Sequence, residues 1–525
     1  MEPSSSSSSE SEFFGRDIEP LLTDFRWDGA QNHGPKNNID QLEVAILALA
    51  ACFPKGKCMR IIRPVGDSSD SAHSEAATSI SDTTWLESIK QRCQPCVRVL
   101  KVSEGLELEE VVNQQISMAM IVTTLLVQES STSTKYQALL YALDDENNPN
   151  YRKTIQNDNK EKDSNSSIVN DNNTHPSYHH IIWTREPRET RLSLDDLVSH
   201  RKNNGVDNTG NICVWDSERT LAYLLYHHFD DFFTPTASDN ENKNAILASV
   251  LLDYSTILHP QVDDNRNHAG IRILELGTGM AGLSAVALGL RLAMQQQERG
   301  GKMSKDSTTQ NKNKEIQKKS NIQVTLTDGN PSGVKNNVVN QYLTKLNSQM
   351  WQQKGHYSPY LDLDVQCDTL LWTIDLDSGK DSLTNQDVVL VSDCVHFQNF
   401  HAALATTTLR CLRVGAIAIF CQPARGPSLD NFFNLLLTAT SDADTTDIIE
   451  STSLLSCTWL SHPIVEQKHH EARLHSNSVY DENLHHPKIL VVTKLREMSK
   501  EDQMRFVAYQ HRYSPIVPTT VVEDT

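Results

Sequence analysis

Glu275-Leu276-Gly277-Thr278-Gly279-Met280-Ala281-Gly282 is the stretch on which the reading of this chain turns. It follows a short apolar run at residues 271–276 and leads into helical spacing over residues 281–296. Glycines let a backbone approach a ligand closely, and the first turn of a helix offers unpaired N–H donors. Gly277, Gly279 and Gly282 also fit the spacing of a dinucleotide fingerprint. Glu275 argues against that ligand. A carboxylate two residues before the first glycine repels a pyrophosphate and suits a ligand with a positively charged end.

Working outward, strands and helices alternate. Strands are expected at 324–328, 365–372, 387–393, 415–421, 454–460 and 489–495, and helices at 332–349, 399–413 and from 428 to 438. Such alternation predicts crossover units and a mostly parallel sheet covered by helices on both faces. Asp328 ends the second strand, 49 residues after Gly279. Compact nucleotide folds place the ribose-binding acid about 20 residues on. A polar stretch at 300–321 accounts for the excess as a surface insertion. At Asp328 a carboxylate can accept ribose hydroxyls or cap the helix that follows Pro331. Asp393 ends the strand containing Val388, Val389, Leu390 and Val391, and open sheets bind ligands at the carboxyl ends of their strands.

The chain of 525 residues has room for two or three domains. Residues 1–143 form an N-terminal region with a serine-rich leader, mainly helical or partly disordered. Helical spacing is read there at 39–53 and 106–127. Residues 144–176 are nearly all Asn, Asp, Lys, Glu and Ser and are expected to be a disordered linker. Residues 177–500 make the domain of alternating strands and helices, and 501–525 a C-terminal tail. A net charge of −19 argues against a nucleic-acid partner, since an acidic chain repels phosphate. Ten cysteines without framework spacing, and no basic-apolar leader, suggest reduced thiols in the cytoplasm or nucleus. No apolar run approaches the roughly 18 residues of a membrane span. A monomer is expected.

Several further segments carry a resemblance to a known family. Asp207-Asn208-Thr209-Gly210-Asn211-Ile212-Cys213-Val214-Trp215, Thr327-Asp328-Gly329-Asn330, Ser392-Asp393-Cys394, Pro423-Ala424-Arg425-Gly426 and Tyr480-Asp481-Glu482-Asn483-Leu484-His485-His486-Pro487 together resemble the seven-strand protein lysine methyltransferases, and within them the calmodulin-lysine type. The likeness spans about residues 205–495. It implies a seven-strand Rossmann-like sheet, S-adenosylmethionine as cofactor and a lysine of a protein, calmodulin above all, as substrate. Elongation factor 2, or a degenerate donor-binding scaffold, is the alternative. Carried over by position, Trp215, Glu275, Gly277, Gly279, Asp328, Asn330 and Trp372 would surround the donor. Asp393 begins the family's Asp-x-x-aromatic motif, and here the fourth position is His396 with Phe397 beside it. Asp393 would orient the amine, with His396 or Phe397 walling the lysine stem. Arg425 and His485 would face the substrate, and Arg425 could equally be salt-bridged into the structure.

Two groups remain. Cys52, Cys58, Cys93 and Cys96 have poor zinc spacing and read as ordinary thiols. His469, His470, His475, His485 and His486 fall in a polar connection read as a solvated loop. No metal is expected.

Overall fold

The structure, a computed structural model, describes residues 18–27, 35–65, 84–111, 116–130, 136–143, 152–153, 180–187, 213–233, 270–303, 322–375, 383–438, 453–475 and 481–513. The expected linker, apart from 152–153, the insertion beyond residue 303, and residues 207–212 lie outside these. The chain divides into two units: residues 1–145, 150–198 and 336–358 form one, and 146–149, 199–335 and 359–525 the other.

In the N-terminal unit, β1 (Asp24–Arg26), β2 (Lys57–Pro64), β3 (Val97–Val111) and β4 (Ile116–Glu129) form a sheet of order β1-β2-β4-β3. Helices α1 (Pro35–Cys52) and α2 (Thr84–Cys93) share its core through Leu42, Ile46, Leu49, Trp85 and Ile89, packed with Met59, Ile61, Leu125 and Val127. A second sheet joins β5 (Tyr136–Ala142), β6 (Arg152–Lys153) and β7 (Ile181–Pro187). The helix read at 39–53 stands as α1, and the helical reading of 106–127 is corrected. Residues 106–111 and 116–127 lie in β3 and β4, which pair antiparallel, Leu106 with Ile121 and Leu108 with Ala119. Leu106 and Leu108, which supplied part of the helical spacing, are 74% and 77% exposed. The run from Ile121 to Val127 is rich in β-branched residues, and its pairing with β2 and β3 outweighed an ambiguous local pattern.

The second unit opens with helices α3 (Asp216–His227) and α4 (Phe229–Phe233). It then alternates β8 (Ile271–Leu276), α5 (Leu283–Met303), β9 (Ile322–Asp328), α6 (Pro331–Gln353), β10 (Leu363–Thr369), β11 (Gln386–Ser392), α7 (His401–Cys411), β12 (Leu412–Pro423) and α8 (Ser428–Thr438). It closes with β13 (Leu455–Leu460), α9 (Pro463–His475), α10 (Glu482–His485), β14 (Pro487–Lys494) and α11 (Lys500–Tyr513). From Asn336 on, α6 clusters with the N-terminal unit.

The seven strands run in the order β10-β9-β8-β11-β12-β14-β13. The first five are parallel; β14 lies antiparallel between β12 and β13. The apolar runs of β8, β11 and β12 are buried on both faces, which is what places them at the centre, while β10, at the edge, alternates in exposure. Val389, Val391, Ala418 and Phe420 meet Leu404 and Leu409 of α7, Phe432 and Leu435 of α8, and Phe506 of α11. Each large side chain so buried contributes about 1.5–3 kcal/mol. The tail reading of residues 501–525 therefore changes. Residues 500–513 are helical, with Phe506 fully buried, and Asp502 and Ser499 cap the helix start reciprocally. No described helix is long and apolar enough to cross a membrane.

Candidate active site

The strand order reverses between β8 and β11: the chain steps outward from β8 to β10 and then returns to the other side of β8. The turns leaving these two strands face one crevice, where open α/β sheets bind ligands. The β8 turn carries Gly277, Gly279 and Gly282, all at positive φ (68°, 52° and 60°). A side chain at Gly277 would meet Cys394 Sγ at 2.5 Å and the Trp372 ring at 3.1 Å. Glycine is thus required both by backbone conformation and by the close approach of the β11 turn.

Glu275 is 1% exposed, and its Oε2 accepts the Ala285 N–H in the first turn of α5 at 2.9 Å. Burial pushes its carboxyl up from 4.5 to about 8, against the pull of that amide. Its Oε1 has no hydrogen-bond partner among the described residues. A buried carboxylate oxygen in want of a donor fits a positively charged group. Glu218 on α3, which the sequence reading did not single out, accepts the Leu283 N–H at 2.7 Å. Two carboxyl groups thus cap α5, whose N-terminal dipole favours negative charge. Only a long-range contact marks Glu218; nothing in its local sequence does.

Asp328 closes the other side of the turn. Its Oδ2 accepts the Gly279 N–H at 2.8 Å and its Oδ1 the Asn330 N–H at 2.7 Å. Capping of α6 falls to Asn330, whose Oδ1 accepts the Ser332 N–H at 2.9 Å. Asp328 is therefore a brace of the glycine turn, its carboxylate standing at the carboxyl end of β9. Positive-φ glycines, a braced acid and an orphaned buried carboxylate oxygen together fit a ligand with hydroxyl groups and a cationic end.

In the turn after β11, Asp393 adopts φ 51° and is 8% exposed. The Arg425 guanidinium donates to both its oxygens, at 2.9 and 2.6 Å, and lies 5.2 Å from the Trp215 ring centroid. Of the two roles open to Arg425 in the sequence, the salt-bridged one is what its geometry presents. Gln422, completely buried, accepts the Cys394 and Val395 N–H groups through Oε1 and donates to the Val391 carbonyl through Nε2. It holds the β11 turn in shape, a task invisible in sequence. His396 places Nδ1 3.0 Å from the Asp393 carbonyl oxygen, and its ring lies 3.8 Å from that of Phe397. Phe400, at the end of a 3-10 turn over Gln398–Phe400, links Phe397 (6.2 Å) to Trp372 (6.5 Å), both edge-on. His396, Phe397, Phe400 and Trp372 make one aromatic wall beside Asp393. Phe400 was missed: no helix joins it to His396, so no spacing in the sequence marked it.

His485 is half-buried and folds back on its own turn, with Nδ1 2.9 Å from the Asp481 carbonyl oxygen. The late histidines are not a solvated loop: His469 lies on α9, and His486 is 8% exposed with its ring stacked on His469 at 4.0 Å. Tyr480 lies outside the described residues. All ten cysteines are free thiols; Cys52 and Cys93 are buried, Cys58 exposed and Cys96 half-buried.

Residues 200–439 match the lysine methyltransferase family. The matched span contains both turns and the Arg425 segment. A calmodulin-lysine N-methyltransferase of Arabidopsis thaliana is 26% identical over 245 residues, covering 46% of this chain and 53% of that relative. The chain thus spans about half the length of this curated relative. Among solved structures, phosphoethanolamine N-methyltransferase 2 of Haemonchus contortus in complex with S-adenosyl-L-methionine is similar at 8% identity and TM-score 0.22, covering 91% of this chain and 87% of that one. The CMeT domain of the citrinin polyketide synthase is similar at 15% identity and TM-score 0.20, with coverages of 59% and 72%. The methyltransferase architecture rests on the strand order and the family match, with β14 reversed between its neighbours. The donor that this chemistry uses is S-adenosylmethionine.

Proposed function

We propose that this chain transfers a methyl group from S-adenosylmethionine to the side-chain amine of a protein lysine, and that calmodulin is its substrate. The observation that carries the reading is the meeting of two turns at the strand-order reversal: the glycine turn braced by Asp328, and the Asp393 turn walled by aromatic rings. The family match supports lysine as acceptor, and the relative in Arabidopsis thaliana supports calmodulin.

When bound, S-adenosylmethionine supplies a methyl group on a positively charged sulfur. A neutral lysine amine would take that methyl, and the excess proton on the nitrogen would pass to solvent. Glu275 offers its unpartnered Oε1 to the cationic end of the donor. Asp328, at the end of β9, braces Gly279 and would face the ribose, and Trp215 and Trp372 shape the pocket. The carboxylate of Asp393, held by Arg425, keeps a lone pair on each oxygen to orient the incoming amine. His396, Phe397 and Phe400 exclude water from the lysine stem, which favours the neutral amine. Alignment of this kind is the main task left to the protein, since the methyl is already activated.

Labelled S-adenosylmethionine supplied with recombinant calmodulin, beside a cell extract, tests this reading. The expected result is label on a calmodulin lysine that is lost in Asp393→Ala and falls at least tenfold in Phe397→Ala, while both variants still bind the donor by calorimetry. Label on another extract protein, elongation factor 2 for instance, overturns the substrate and keeps the chemistry. No label and no donor binding by the folded wild-type chain overturns both.

A further inference from the structure

In the N-terminal unit, β3 stands at the edge of its sheet and is 15 residues long. Among the described residues no strand lies on its outer side, so it presents a row of backbone N–H and C=O groups. Val97, Val99, Lys101, Glu104, Leu106 and Leu108 stand opposite the β4 residues that share a face with the core residues Leu125 and Val127. The step from odd to even numbers is a bulge between Lys101 and Ser103. Leu106 and Leu108 are largely exposed, so apolar surface continues along this face to the edge.

The charges of β3 mirror one another about a point between Val102 and Ser103. Arg98 and Lys101 precede it, and Glu107 and Glu104 follow at the same distances. A second β3 laid antiparallel about a two-fold axis there sets its Glu104 opposite Lys101, its Glu107 opposite Arg98 and its Leu106 opposite Val99. In a regular strand these mirrored positions would fall on opposite faces, because side chains alternate. The bulge brings Lys101 and Glu104 to one face and Arg98 and Glu107 to the other. A lysine and a bulge commonly blunt an edge against pairing. Here each is matched by its own mirror image, and all four charged residues are exposed.

We propose that β3 pairs antiparallel with β3 of a second copy of this chain, in place of the monomer expected from the sequence. Such a contact is isologous, so each residue pair occurs twice. Opposite charges directly across two strands stabilise a sheet, and like charges oppose it. Lys101 already pairs with Glu104 of its own strand at 3.0 Å. In the dimer these two residues and their counterparts would alternate in sign around the axis. A slide of two residues either way separates Lys101 from the second copy's Glu104, so the charges select this register.

The test uses the full chain, its mass followed against concentration by light scattering, a readout independent of methyl transfer. The wild type is expected to pass from one chain per particle to two as concentration rises. Arg98→Glu/Lys101→Glu makes all four charges negative, and Glu104→Lys/Glu107→Lys makes all four positive. Each should weaken self-association at least tenfold, and an equal mixture of the two should restore it as a mixed dimer. Leu106→Ser/Leu108→Ser, at positions already exposed, should weaken it without a change of charge. Wild type that stays monomeric at every concentration overturns the proposal and leaves this edge to another protein chain. So does a dimer unchanged by all three variants, which would place the interface elsewhere. Folded charge variants whose mixture stays monomeric would overturn the register.

Discussion

Asp393 and Arg425 form a two-pronged ion pair, with Nε–H donating to Oδ1 at 2.9 Å and Nη2–H to Oδ2 at 2.6 Å. Both residues have positive φ, 51° and 43°, a region that side chains other than glycine rarely occupy. The pair therefore fixes two uncommon turns against each other. Arg425→Ala leaves a carboxylate that is 8% exposed without its counter-charge. The expected cost is about 3–5 kcal/mol in a urea melt. Arg425→Lys should recover only part, because a point charge cannot donate both bonds in parallel. A melt of Arg425→Ala that overlays wild type would mean that the pair is not formed in solution.

Gly277→Ala should destabilise the chain and abolish donor binding. The new methyl would sit 2.5 Å from Cys394 Sγ, in a backbone conformation that a side chain resists. Adding Cys394→Ala removes the nearest atom but leaves the strain at φ 68° and the Trp372 ring at 3.1 Å. The double variant should regain part of the melting temperature lost by the single one. Full recovery would show that backbone strain at this turn is negligible; no recovery would show that the Sγ contact is irrelevant.

Glu275 predicts a pH dependence. Its carboxyl is raised from 4.5 to about 8 in the folded chain by burial. Between these values the folded state holds a proton that the unfolded state has released. The contribution of this residue to stability therefore falls as pH rises from about 4.5 towards about 8. Glu275→Gln has no such titration. The melting temperature of wild type minus that of Glu275→Gln should decline across this window, and saturating donor, through its cationic end, should flatten the decline. A difference that stays level without donor would contradict the burial argument.

The central sheet was legible because its signals are local. Val388 to Val391, a short apolar run rich in β-branched residues, reads as a strand buried on both faces, and Glu275 to Gly282 announces its own turn. Asp328 and Asp393 could be placed because strand ends are where such sheets bind ligands. The aromatic wall was half legible: His396 and Phe397 stood next to Asp393, but Phe400 entered only when the short 3-10 turn at Gln398–Phe400 brought it round. In the N-terminal unit the same reasoning found α1 but failed on β3 and β4. The stretch from Leu106 to Val127 carries apolar residues at spacings that suit either period, and cross-strand pairing settled the matter.

By itself the sequence determined which segments are buried and where the chain must turn, because periodicity and glycine conformation act over a few residues. The tertiary structure alone decided which polar groups meet. Arg425 reaches Asp393 from 32 residues away, Glu218 reaches Leu283 from 65, and Gln422 reaches the β11 turn from 28. A buried polar side chain must find a partner, yet its identity cannot specify which one. That choice follows from strand order: β12 lies beside β11, and β14, folded back antiparallel, borders β12.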